Sequence, residues 1–206
     1  MIDMSFVSLE EVTPNDGVVF IKPGPENDFV RIGEGMKVWI DISYDHLKHI
    51  NTWGEVVRTP EKYSLGIGNG DFVFFHYLTI DTCLKLRKYI MVDSQVYFPV
   101  PTASVFVSVR GEEVICHNGY ALVEPLDVSF KADGGVIIPR VGKKEHNTKE
   151  GILRYVPKGW SATSPGDHIV FATAADVPLE YDLHRTFAGG KRYFRMQESN
   201  VLAKRI

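Results

Sequence analysis

Cysteine is scarce in this chain. Only Cys83 and Cys116 occur in 206 residues, far apart and with no Cys-x-x-Cys pair. A disulfide framework or a thiolate zinc site is thereby excluded, and both thiols, lying in strand-like stretches, are expected to be reduced and buried. Long apolar runs are missing as well: Val18-Val19-Phe20-Ile21 and Phe72-Val73-Phe74-Phe75 are among the longest, far short of the roughly 20 residues that a spanning helix needs. The opening Met1-Ile2-Asp3-Met4-Ser5-Phe6, with Glu10-Glu11 soon after, lacks the basic end and apolar segment of a secretory signal. A cytoplasmic protein with no membrane attachment is expected. Charge of one sign is not in excess either. With 23 Lys and Arg against 26 Asp and Glu, the net charge of −3 gives no pull toward a nucleic-acid backbone. No Gly-x-Ser-x-Gly and no Ser/His/Asp arrangement suggests a nucleophile, so no catalytic residue and no cofactor is expected.

What is present is apolar and turn-rich. The chain is 44% hydrophobic and 12% aromatic with 18 Gly and 11 Pro, which suits short strands punctuated by turns. It also repeats itself. Asn15-Asp16-Gly17-Val18-Val19-Phe20-Ile21-Lys22-Pro23 matches His117-Asn118-Gly119-Tyr120-Ala121-Leu122-Val123-Glu124-Pro125 at an offset of 102. Trp53-Gly54-Glu55-Val56-Val57 matches Glu150-Gly151-Ile152-Leu153 at 97. Gly70-Asp71-Phe72-Val73-Phe74-Phe75 matches Gly166-Asp167-His168-Ile169-Val170-Phe171, and Val96-Tyr97-Phe98 then Val105-Phe106 match Arg192-Tyr193-Phe194 then Val201-Leu202, both at 96. Four anchors in constant order imply two copies of one module, 15–117 and 118–206, behind an N-terminal extension of residues 1–14.

The expected fold is all-β: two tandem small β-barrels, each with a long loop after its first strand. Ser43-Tyr44-Asp45-His46-Leu47-Lys48-His49-Ile50 is the one helix candidate of the first module, capped by Ser43. The joint Val109-Arg110-Gly111-Glu112-Glu113-Val114 is too short to be a flexible linker, so a fixed relation between the modules is expected.

In both modules a strand ends at proline, Pro23 or Pro125, and the next confident strand begins only at Gly54 or Gly151, leaving 30 and 25 residues between. Connections longer than about 12–15 residues are usually functional or disordered. In the second module this segment carries Gly134-Gly135 followed by Val136-Ile137-Ile138 and then a charged run. An apolar tip on a flexible loop is suited to dock into a groove on a partner; the bland reading makes Val136-Ile137-Ile138 one more core strand.

In order and spacing, Gly119 to Pro125, Gly134 to Pro139, Lys149 to Leu153, Pro165 to Phe171 and the final Asn200 to Ile206 resemble the GroES (chaperonin-10) family. The resemblance covers the second module and extends through the repeat to the first, as in tandem members of that family. It implies a co-chaperonin: a lid without nucleotide hydrolysis of its own that caps a GroEL-type ring through mobile loops and assists protein folding. The positions it implies for ring contact are Gly134, Gly135, Val136, Ile137 and Ile138, with Val38, Trp39 and Ile40 as their counterparts in Gly33-Glu34-Gly35-Met36-Lys37-Val38-Trp39-Ile40. It also implies a homo-oligomeric ring in which the last strand of one subunit meets the first of the next. The chain departs from the family in having Asn118-Gly119 and Asp16-Gly17 where an acidic–basic pair is usual, and in segments 58–69 and 157–165 that are short for a roof hairpin. A structural or assembly module on the same tandem barrel, without the chaperone role, is the alternative.

Three other features read as ordinary surface. Gly66-Ile67-Gly68-Asn69-Gly70 lacks the Lys-Ser/Thr of a phosphate loop and precedes a strand, so it reads as a turn. His46 and His49 lack a third ligand, so no metal site is expected. Lys85-Leu86-Arg87-Lys88 and Lys143-Lys144 read as solvated faces that would touch acidic rims on a partner.

Overall fold

A computed structural model describes residues 2–3, 8–24, 29–32, 36–39, 52–76, 78–127, 146–161, 163–172, 177–178 and 193–205. Among the described residues it is an all-β structure with one short α-helix. The strands are β1 (Ile2–Asp3), β2 (Val18–Pro23), β3 (Phe29–Ile32), β4 (Met36–Trp39), β5 (Trp53–Arg58), β6 (Phe72–Phe75), β7 (Ile90–Val92), β8 (Gln95–Pro101), β9 (Val105–Arg110) and β10 (Glu113–Cys116), with helix α1 (Leu78–Lys85) between β6 and β7. There follow β11 (Tyr120–Asp127), β12 (His146–Tyr155), β13 (His168–Phe171), β14 (Val177–Pro178), β15 (Phe194–Gln197) and β16 (Val201–Lys204). The chain divides into two compact units, Met1–Val114 and Ile115–Ile206. No helix among the described residues is long and apolar enough to cross a membrane.

Each unit is built on the same five-strand ladder. In the N-terminal unit the order β8-β2-β5-β6-β9 lies inside a sheet that β1 and β7 extend on one side and β10 on the other. In the C-terminal unit the order is β15-β11-β12-β13-β16, with β14 beyond β15. The registers repeat residue by residue. Ile21 lies opposite Phe98 and Val19 opposite Val100, as Val123 lies opposite Phe194 and Ala121 opposite Met196. Pro23 faces Gly54 and Pro125 faces Gly151. Even the register shift near the end of the ladder recurs, between Phe74 and Phe75 in one unit and between Val170 and Phe171 in the other.

The repeated apolar positions make the cores. Val19, Ile21, Val56, Val73, Phe75, Phe98 and Val100 cluster in the first unit. Their counterparts Ala121, Val123, Leu153, Ile169, Phe171, Phe194 and Met196 cluster in the second. Alternation along β2 puts Val19 and Ile21 inside while Lys22 stays exposed, the pattern of a strand with one buried face. The turn before each third ladder strand is held alike: Gly68 N donates to Asp71 Oδ2 at 2.7 Å, and Ser164 N donates to Asp167 Oδ2 at 2.8 Å. Residues 66–70 therefore form the expected turn, with Ile67 buried beneath it.

Two expectations need correction. Cys83 does not lie in a strand; it sits on α1, where it and Ile80 are buried against the first core and its Sγ donates to the Pro99 carbonyl at 3.5 Å. The β-branched Thr79, Ile80 and Thr82 disguise this helix in sequence, and packing against β8 together with an Asp81–Lys85 pair at 2.6 Å holds it. Both cysteines are free and buried. The connection after β2 is not wholly a loop, because β3 and β4 form an antiparallel hairpin within it, Phe29 opposite Trp39 and Ile32 opposite Met36. The helix candidate at 43–50 lies outside the described residues.

Candidate functional site

The two long segments leave the ladders at equivalent points. A chain that leaves at a proline and returns at the glycine directly opposite has its two ends fixed side by side. The glycine is needed at both returns. A Cβ on Gly54 would lie 2.6 Å from the Lys22 carbonyl oxygen and 2.7 Å from Ile21 Cδ1; one on Gly151 would lie 2.7 Å from the Glu124 carbonyl oxygen and 2.5 Å from Val123 Cγ1. Only a residue without a side chain lets the strands approach this closely.

Around this shared geometry the two roots differ in chemistry. The first is aromatic. Gly24 N donates to the Trp53 carbonyl at 3.2 Å, and the Trp53 ring covers Gly24 so closely that any Cβ there would collide with it. The same indole lies 6.0 Å from the Phe72 ring and 6.5 Å from that of Phe74, making an aromatic pad under the start of the segment. The second root is charged. Glu150, the counterpart of Trp53, has its Oε2 3.1 Å from His168 Nε2 and accepts from Arg205 Nη1 at 3.3 Å. Arg154 Nε donates to Glu124 Oε2 at 2.5 Å on the neighbouring strand. Pairing also runs further out here than the sequence suggests, since β12 begins at His146, opposite Asp127.

Of the eight positions singled out for partner contact, Val38 and Trp39 are on β4, with Val38 opposite Val30 and Trp39 opposite Phe29. Ile40, Gly134, Gly135, Val136, Ile137 and Ile138 lie outside the described residues, as do His46 and His49. Among the described residues no group of three or more His, Cys, Asp or Glu is placed to hold a metal ion. The sequence reading missed the hairpin and the Trp53 pad. The hairpin had a signal in sequence, two apolar-rich runs separated by the three residues Gly33-Glu34-Gly35, a spacing and composition typical of hairpin connections.

Burial raises the two thiols and removes them from reactive chemistry: Cys116 is pushed up to about 12, and Cys83 is raised for the same reason, partly offset by Lys88. Near the second root, Asp167 is held below its ordinary value by its hydrogen bond from Lys204, aided by the Ser164 N–H. What the site offers is thus two tethered segments on rigid ladders, without an activated nucleophile among the described residues. Neither the scan against protein-family models nor the search of curated proteins finds a match for this chain.

Proposed function

We propose that this chain is a cytosolic co-chaperonin-like lid that caps a GroEL-type chaperonin ring through the segments after β2 and β11 and assists protein folding without hydrolysing nucleotide itself. The observation that carries this reading is the repeated root: two equal ladders, each sending out a long segment from a Pro–Gly pair at the same register. In this reading each ladder belongs to a small barrel. The contact residues are Val136, Ile137 and Ile138 in the second segment and Val38, Trp39 and Ile40 in the first.

Such loops need no special chemistry. A tip burying about 200–300 Å² of apolar surface gains several kcal/mol at about 25 cal/mol per Å². Ordering the loop costs about 1–2 kcal/mol per residue fixed, so one loop binds weakly. Several loops on one rigid assembly bind firmly through effective concentration and release together when the partner changes shape.

An assembly of several chains is supported by an asymmetry between the ladders. β9 is buried from Val105 to Val109 and is flanked by β10. Its counterpart β16 ends the described order, and Leu202 on it is 67% exposed. The sequence Glu113-Val114 of β10 recurs as Glu11-Val12 near the N-terminus, at the same offset of 102 as the strand that follows. In this reading residues 11–14 of a second copy cover β16 and join one chain to the next. An exposed strand edge of this kind serves the alternative, a purely structural assembly module, equally well.

The discriminating experiment is ATP-dependent co-sedimentation of the full chain with a GroEL-type ring, with native mass spectrometry counting the chains. Nucleotide-dependent capture is expected. A homo-oligomer that the ring never captures under any nucleotide condition would favour the structural module.

A further inference from the structure

Residues 84–88, Leu-Lys-Leu-Arg-Lys, are all exposed at the end of α1. Leu84 is 52% and Leu86 57% exposed. The helix closes through Lys88 N to the Cys83 carbonyl at 2.8 Å and Arg87 N to the Leu84 carbonyl at 3.1 Å. This is the Schellman arrangement, in which the residue corresponding to Arg87 turns left-handed and is usually glycine. Here it is arginine at φ +53°. A side chain in that conformation is strained, and backbone strain of this kind tends to gather at functional sites.

The helix dipole accounts for cations near a C-terminus. It does not account for two exposed leucines between them, nor for an arginine where glycine would relax the turn. Lys85 is already engaged by Asp81 at 2.6 Å, while no carboxylate follows Arg87 and Lys88 in the chain until Asp93. Three of the chain's 23 basic residues thus fall within four positions of a protein whose net charge is −3. The combination is apolar and locally cationic.

We propose that the C-terminal end of α1, Leu84 to Lys88, is a docking surface for an acidic, leucine-bearing segment of a protein partner. The carboxylates pair with Arg87 and Lys88, and the apolar side chains cover Leu84 and Leu86. A lipid surface fits less well, because two leucines bury little area in an interface and the chain as a whole is repelled by anionic headgroups. This surface is separate from the segments after β2 and β11 and stands whether or not they bind a chaperonin.

The test measures binding of the full chain to a fluorescent Glu/Leu-rich synthetic peptide, with a Glu/Ser peptide and phosphatidylcholine/phosphatidylserine vesicles as comparisons. The Glu/Leu peptide should bind in preference to both, more weakly at high salt, and Leu84→Ser/Leu86→Ser or Arg87→Glu/Lys88→Glu should each weaken it about tenfold or more. Arg87→Gly separates function from folding: it should raise the melting temperature, as strain is relieved, and still weaken binding. Undetectable peptide binding, affinity unchanged in Arg87→Gly, or vesicles bound as well as peptide would each overturn the proposal.

Discussion

Replacing Gly151 by alanine tests the loop-root geometry most sharply. The new methyl carbon would sit 2.7 Å from the Glu124 carbonyl oxygen and 2.5 Å from Val123 Cγ1. Neither neighbour can yield by a simple side-chain movement: one is backbone in the β11–β12 ladder, and the other is the short branch of a buried, β-branched residue. The strands must part at the root. Overpacking of this kind costs about 2–3 kcal/mol, which in a unit of this size lowers the melting temperature by about 10–15 °C. Gly54→Ala meets the Lys22 carbonyl oxygen at 2.6 Å and should behave alike in the other unit. The control is Gly166→Ala, where φ is +97° and nothing lies within 4 Å of the added carbon, so only the left-handed backbone penalty of about 1 kcal/mol applies. Differential scanning calorimetry of the full chain measures all three. A Gly151→Ala protein that melts within about 2 °C of the parent, or loses no more than Gly166→Ala, would show that the root tolerates a side chain and is not closely packed.

Two further outcomes follow from the buried and paired groups. Because Asp167 is held below its ordinary value by Lys204, its contribution to stability is complete above the unfolded aspartate pKa of about 4 and fades as pH falls through the lower folded value. Lys204→Met should therefore destabilise the chain at neutral pH and shrink its loss of stability on acidification, measured by urea unfolding; an unchanged pH profile would contradict the assignment. With Cys116 pushed up to about 12 and Cys83 raised by burial, neither thiol presents thiolate at neutral pH. A thiol-reactive dye should label the native chain slowly and the urea-unfolded chain at both cysteines, and rapid native labelling would show that the described packing is wrong.

Much of the fold was legible because ladder strands carry repeated anchors. The matches at offsets of 102, 97 and 96 fall on β2 and β11, β5 and β12, β6 and β13, β8 and β15, and β9 and β16. Gly54 and Gly151 are fixed by close backbone approach, and Gly17, Gly70, Gly119 and Gly166 by left-handed turns, so they stand out in sequence. Helix α1 was not legible, since its stability comes from Ile80 and Cys83 packing on the first core and not from local propensity. The start of β12 was hidden for a related reason. His146-Asn147-Thr148-Lys149 reads as polar loop, and only pairing with β11 makes it strand. At the candidate site, the roots could be read from Pro23, Gly54, Pro125 and Gly151. The aromatic pad could not, because Trp53 meets Phe72 and Phe74 only across the β5–β6 pairing.

If the second segment grips a chaperonin ring as proposed, Ile137 is the residue whose change should break that grip. The most direct test is ATP-dependent capture of the full chain by a GroEL-type ring, compared between the parent and Ile137→Asp, with matched calorimetry to show that both fold. Capture of the parent and its loss in Ile137→Asp, with melting unchanged, is the result expected. Equal capture of both proteins, or none of either, would contradict a chaperonin-capping role for this segment.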